Sequence, residues 1–255
     1  MYTLDTDNIT LYICPELILI LTGRAPGNLK NRKADLLNTA TSIAGNTLAL
    51  FGASGATGRA IIDQALHNGL KVRALVRAAS SLAIRSPQLD IITGALLNRE
   101  DVTATLTGCT TAICVFGPRP PYRDIFCAEA TALIVEVMRG LSIRRLLCQT
   151  GGMIGDYRAN RTWPFQLMTT AFNKRLPAIA ADRAKQEQMV RDSGLDWTLI
   201  KPPRLTDGAA RGTWRAGTGV RLGMLSSLTR TDLSAFVIDE TLHNHHLHQA
   251  VFIKN

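Results

Sequence analysis

Thr47-Leu48-Ala49-Leu50-Phe51-Gly52-Ala53-Ser54-Gly55-Ala56-Thr57-Gly58-Arg59-Ala60-Ile61-Ile62 (TLALFGASGATGRAII) is the stretch on which the fold turns. The apolar run 47–51 fits a short buried strand that stops at a glycine. Over 58–68, Ile61, Ile62, Ala65 and Leu66 share one helical face, and Gly69 closes the helix. Between strand and helix the glycines follow the spacing GxxGxxG. Such a loop serves three needs: a sharp turn, close backbone approach to a diphosphate, and tight packing of helix on strand. The free amides and the dipole at the helix start then receive the negative phosphates. The hydroxyls of Ser54 and Thr57 add donors, so the loop reads as a dinucleotide cradle.

Outward from this unit the pattern repeats. Strands are predicted at 71–76 (KVRALV), 89–93 (LDIIT), 110–116 (TTAICVF), 144–149 (RRLLCQ), 197–200 (WTLI) and 249–253. Helices are predicted at 98–106, 123–140 and 177–193, the last two closed by Gly140 and Gly194. Strands separated by helices imply right-handed crossovers and a parallel sheet. The fold class is therefore α/β, a Rossmann-type doubly wound parallel sheet with helices on both faces. Residues 1–46 form an N-terminal extension, with a strand or short buried helix at 17–21, a basic loop at 24–33 and a short helix at 34–43. Residues 47–255 form one nucleotide-binding domain that includes a small C-terminal substrate region.

The second strand ends at Arg77, where NAD-binding proteins carry an acid for the ribose 2′-hydroxyl. A guanidinium matches a phosphate fork, and the small residues Ala78 to Ser81 leave room for one. Arg59 is a second candidate for that phosphate. The expected cofactor is NADP(H).

Composition bounds the rest. The chain has 255 residues, 46% of them apolar, and a formal charge of +9 from 29 basic and 20 acidic residues. The basic residues are scattered without interleaved aromatics, which speaks against nucleic acid. The apolar run 11–21 is about half the length of a membrane span, and the acidic start lacks the basic residues of a secretory signal. Five cysteines without paired spacing point to a reducing, cytoplasmic setting. The expected partner is a small-molecule substrate, with no nucleic acid and no membrane, and the chain as a monomer or homodimer. His243, His245, His246 and His248 form a histidine-rich tract, but without a matching set of cysteines or carboxylates they read as a surface loop, and no metal is expected.

GASGATGR, KVRALVR, SGLDWTLIKPP and the late TRTDLSAFV together resemble the atypical short-chain dehydrogenase/reductases, the NmrA-like NAD(P)H-binding proteins, nearest to flavin reductase/biliverdin-IXβ reductase. The likeness runs from about Leu48 to the C-terminus. It implies that Gly52, Ser54, Gly55, Ala56, Thr57 and Gly58 hold the diphosphate, and that Arg77 holds the 2′-phosphate with Ser81 beside it. It implies that Ala95 and Leu96 flank the adenine, where the family's Asp is missing, and that Phe116 and Gly117 border the ribose. Thr150 stands at the nicotinamide in place of a serine, and Pro202, Pro203, Arg204 and Leu205 flank its amide. The connection 151–177 is longer than in the flavin reductases, which loosens the inference to flavin or biliverdin as substrate.

The Tyr-x-x-x-Lys pair of carbonyl-reducing relatives is absent, since Ala181 stands four residues before Lys185. Tyr157, followed by Arg161, is a candidate substitute proton donor, although the pair begins only seven residues after Thr150, and the alternative is a lid or packing tyrosine. Thr150 is a candidate hydrogen-bond donor to the reacting group, the alternative being a strand-end threonine satisfied by backbone. Without a dedicated acid, hydride transfer to a conjugated flavin, quinone or enone remains feasible, by proximity and orientation. The expected activity is that of an NADPH-dependent oxidoreductase. The alternatives are a non-enzymatic NADP(H)-binding redox sensor or assembly factor, and an isomerase or epimerase on the same fold.

Overall fold

The computed structural model describes residues 3–6, 9–12, 46–119, 122 and 124–255. Contacts divide the chain into two units, Met1–Ser42 and Ile43–Asn255. In the first, β1 (Thr3–Thr6) and β2 (Ile9–Tyr12) pair as an antiparallel hairpin. The elements expected at 17–21, 24–33 and 34–43 lie outside the described residues.

The second unit is built on one eight-stranded sheet. Its strands are β3 (Thr47–Phe51), β4 (Lys71–Val76), β5 (Leu89–Thr93), β6 (Thr111–Cys114), β7 (Arg145–Gln149), β8 (Asp196–Lys201), β10 (Arg215–Gly217) and β12 (Gln249–Lys254). Two short strands, β9 (Arg204–Thr206) and β11 (Ser227–Thr229), pair apart from it. The order across the large sheet is β10-β12-β8-β7-β6-β3-β4-β5. Every pair is parallel except β10 on β12. The antiparallel edge is three residues long and gives no periodic signal in the sequence. The chain winds outward in both directions from the β3–β6 pair, so the switch point lies at the glycine loop.

Among the described residues there are six helices: α1 (Ala56–His67), α2 (Arg99–Leu106), α3 (Cys127–Gly140), α4 (Trp163–Arg175), α5 (Pro177–Arg191) and α6 (Arg230–His243). Period-2 alternation explains why the central strands read as unbroken apolar runs. Leu48, Leu50, Ile113 and Leu147 pack with Ile61, Ile62 and Ala65 of α1 and Phe236 and Val237 of α6. Ala49, Phe51, Cys114, Leu146 and Cys148 point the other way, against Val102, Ile134, Met138 and Val190. Each fully buried Leu or Ile contributes about 1.5–3 kcal/mol by leaving water.

Two helices, α4 and α6, carry no clear apolar stripe. On α6 the buried face includes Asp232, Ser234, Glu240 and Thr241, which breaks the apolar periodicity. On α4 the pattern is inverted by exposed Trp163 and Leu167 beside buried Phe165 and Thr169. Among the described residues no helix is long and apolar enough to cross a membrane.

Candidate functional site

The glycine loop is shaped by close backbone approach. Gly52 has φ +95°, and a Cβ there would stand 2.7 Å from the Phe116 nitrogen at the end of β6. The loop closes with the Gly55 amide donating to the Gly52 carbonyl at 3.1 Å. Helix α1 starts at Ala56, so Gly58 lies in its first turn. A Cβ on Gly58 would sit 2.7 Å from Ala53 Cα and closer still to the Gly52 carbonyl. The helix has no side-chain cap and no acid in its first turn, so its leading amides remain available to an anion. Arg119 adds positive charge: its Nη2 would lie 3.8 Å from a Cβ on Gly55. This cradle, which a single methyl would fill, fits a dinucleotide diphosphate. Arg119 is absent from the sequence-derived set because nothing local ties it to a loop 64 residues earlier.

Arg59 folds back over the loop, donating through Nη1 to the Ser54 carbonyl at 2.7 Å. At the end of β4, Arg77 is exposed. Ser81 donates its hydroxyl to the Ala78 carbonyl at 2.6 Å and so closes its own turn beside Arg77. Beyond β5, the Ala95 amide donates to Asp101 Oδ2 at 2.8 Å. An acid therefore does stand beside this loop, supplied by α2 and engaged with backbone. Leu96 is half-buried against the core, leaving only part of its side chain for a ligand.

The ends of β6, β7 and β8 meet over α5. Phe116 is buried, with its ring 6.0 Å from that of Phe126, so its backbone rather than its ring borders the site. Its carbonyl accepts from Arg183 Nη1 at 3.1 Å, and Nη2 of the same guanidinium donates to the Gln149 and Thr150 carbonyls at 3.0 and 2.7 Å. Arg183 thus fastens two strand ends from a buried position. Gly117 is exposed beside it.

One helical turn on, Glu187 is the centre of a buried cluster. It is 3% exposed and Lys201 is fully buried, and the two form an ion pair. Thr150 Oγ1 donates to Glu187 Oε1 at 2.6 Å and the Tyr157 hydroxyl to Oε2 at 3.0 Å. Lys201 Nζ also donates to the Ile154 carbonyl at 3.0 Å and lies 4.3 Å from the centre of the Tyr157 ring. Burial lowers the Lys201 ammonium to about 8, against the opposing pull of Glu187. Burial, reinforced by the Glu187 charge, raises the Tyr157 phenol well above its ordinary value.

Thr150 and Tyr157, separate candidates in the sequence, meet at one carboxylate, and both hydroxyls donate to Glu187. Arg161 does not assist Tyr157. Its buried guanidinium donates to the carbonyls of Gly152, Ile154 and Gly155, each at 2.9 Å, and holds that loop in shape. Arg191 contacts the Tyr157 hydroxyl instead. Glu187, Lys201 and Arg183 are absent from the sequence-derived set. The available signal was a polar stripe, Asp182, Arg183, Gln186 and Glu187, at the spacing of one helix face. Lys185, which the missing Tyr-x-x-x-Lys pair drew attention to, is exposed.

Next to this cluster, the Pro202 carbonyl accepts from the Gly152 amide at 2.8 Å. Arg204 opens β9 and is exposed, while Leu205 packs onto the core below, and Pro203 is half-buried. The four residues border the strand ends, with Arg204 free to reach outward.

Residues 52–244 match the family model described as NAD(P)H-binding. An uncharacterized chloroplastic protein of Arabidopsis thaliana is 25% identical over 172 residues, 63% of this chain and 60% of that protein, so the match spans less than two thirds of the plant protein. Among solved structures, ChuY, an anaerobillin reductase from Escherichia coli O157:H7, superposes with a TM-score of 0.66 at 22% identity. That match covers 82% of this chain and 96% of ChuY. SP1627, a candidate NADH-flavin reductase from Streptococcus pneumoniae, gives 0.65 at 23% identity, over 83% and 100% of the two chains. At such identities the structural likeness speaks to the fold alone.

Proposed function

Because this chain belongs to the NAD(P)H-binding family, we propose that it is an NADPH-dependent oxidoreductase acting on a planar conjugated acceptor of the flavin, quinone or enone class. The observation that carries the choice of acceptor is the inward direction of the Thr150 and Tyr157 protons onto Glu187. Reduction of a simple ketone needs an acid to meet the developing alkoxide. A phenol whose pKa is raised and whose proton is engaged by a carboxylate is poorly suited to that role. A conjugated ring spreads the negative charge and takes its proton from water, so the protein need only orient the reactants.

In this reading Gly52, Ser54, Gly55, Ala56, Thr57 and Gly58 receive the diphosphate, with Arg119 neutralising charge over the loop. Arg77 takes the 2′-phosphate. Phe116, Gly117 and Pro202 to Leu205 frame the ring end, above a floor set by Thr150, Glu187 and Lys201. When bound, the reduced nicotinamide supplies the hydride. Names of relatives support the same class: anaerobillin and flavins are extended conjugated acceptors.

Two variants test the halves separately. Arg77→Ala weakens NADPH roughly ten- to a hundredfold, the worth of a charge-assisted contact, and leaves NADH unchanged in titration calorimetry. Equal losses for both cofactors would remove Arg77 from the 2′-phosphate. Tyr157→Phe, assayed by NADPH oxidation with flavin, quinone and enone panels, keeps kcat within about tenfold, whereas loss of a general acid costs roughly 10²–10⁴. A fall of that larger size would make Tyr157 the proton donor. No turnover of any panel member despite tight NADPH binding would defeat the oxidoreductase reading and favour a non-enzymatic sensor.

A further inference from the structure

We propose that Asp239, His243 and His245 form a divalent-cation site, selective for Zn²⁺ over hard cations, at the C-terminal end of α6. In the sequence, Asp239 and Glu240 precede the four histidines of this tract, and the fold shows which carboxylate meets which imidazole. Asp239 and His243 are four residues apart and share a helix face, with His243 Nδ1 2.9 Å from Asp239 Oδ1. The helix then stops at Asn244, which adopts a left-handed conformation with φ 55°. That turn carries the chain back and stacks the His245 ring on that of His243, with centroids 5.4 Å apart and planes inclined by 23°. His245 Nε2 lies 3.7 Å from Asp239 Oδ2. One donor atom from each residue lies within 4.8 Å of the other two.

Ligand bonds of about 2.0–2.2 Å in a tetrahedral site hold donor atoms roughly 3.3–3.6 Å apart. His243 and His245 are exposed, so small rotamer changes close that gap. Two imidazoles and a carboxylate suit Zn²⁺ rather than Mg²⁺ or Ca²⁺, with water in the fourth position.

The other histidines of the tract have different partners. His246 Nδ1 lies 2.8 Å from Glu240 Oε2, a fully buried carboxylate also held by Arg145. His248 faces Trp197 and Asp196. Among the described residues, only the Asp239-x3-His243-x-His245 set converges. A cation there would clasp the last turn of α6 to the loop that starts β12. It stands at the N-terminal edge of the parallel strands, opposite the glycine loop, and so is separate from the proposed cofactor site.

The test is titration of the tag-free full chain with ZnCl₂ by calorimetry, together with thermal unfolding. We expect one Zn²⁺ per chain and a midpoint that rises with Zn²⁺, since a ligand that favours the folded state stabilises it. His243→Ala/His245→Ala and Asp239→Asn weaken binding about tenfold or more, while His248→Ala binds as the wild type does. NADP(H) affinity, measured in parallel, reports that each variant is folded. Absence of saturable Zn²⁺ binding, unchanged binding by the double variant, or an equal loss on His248→Ala would overturn the site.

Discussion

Replacing Glu187 with leucine lowers the unfolding free energy by about 3–5 kcal/mol, because it leaves the buried Lys201 ammonium without its counter-charge. The loss extends beyond the ion pair: the Thr150 and Tyr157 hydroxyls also lose their acceptor. The orphaned Thr150 donor, which is buried, costs about 1–3 kcal/mol unless it finds another partner, and the half-buried Tyr157 hydroxyl costs less. The companion variant Lys201→Met removes the ammonium. The double variant Glu187→Leu/Lys201→Met therefore recovers much of the stability, since an apolar pair of similar volume needs no counter-charge. Urea unfolding of the four proteins gives the coupling. A value below about 0.5 kcal/mol, within the scatter of independent sites, would show that the two residues do not act as a pair.

Gly58→Ala abolishes saturable NADP(H) binding and destabilises the fold at once. The added methyl would lie 2.7 Å from Ala53 Cα and 2.8 Å from Ala53 O, both of them backbone atoms that no rotamer change can move aside. The loop must shift, at roughly 1–3 kcal/mol for overpacking. The amides it aims at the diphosphate shift with it. For a chain of this size each kcal/mol lowers the melting midpoint by roughly 2–4 °C. Gly140→Ala is the matched control: it ends α3 with nothing within 4 Å of the added Cβ, and it leaves both stability and cofactor affinity intact or slightly improved. Equal cofactor affinity in Gly58→Ala and wild type would remove the glycine loop from the binding site.

Local patterns were the legible part of this chain. The strand at 47–51, the glycine spacing and the helix behind it are contiguous, and period-2 burial on both faces wrote the central strands as apolar runs. Thr150 was singled out because it matches a family serine at a strand end. Its acceptor was not, because Glu187 lies 37 residues later on a helix, and Lys201 another 14 beyond, inside a strand. Nothing local marks a glutamate that will be buried; the polar stripe on α5 resembles a solvated face until the strand ends close over it. The same reason hid α6, where Asp232 and Glu240 are buried and partnered by distant residues such as Asn255 and Arg145. Tyr157 and Arg161 are four residues apart in sequence, but the chain between them is a short 3₁₀ turn that sends their side chains to different partners.

Arg183 joins the floor of the site to the sheet by gripping carbonyls of two neighbouring strands. Remodelling of α4 alone, which shows Trp163 and Leu167 to solvent, leaves that grip untouched, because Arg183 holds only the carbonyls of Phe116, Gln149 and Thr150. Under the proposed reading, the outer helix would then be the part that can change its sequence freely while the strand ends below keep their register.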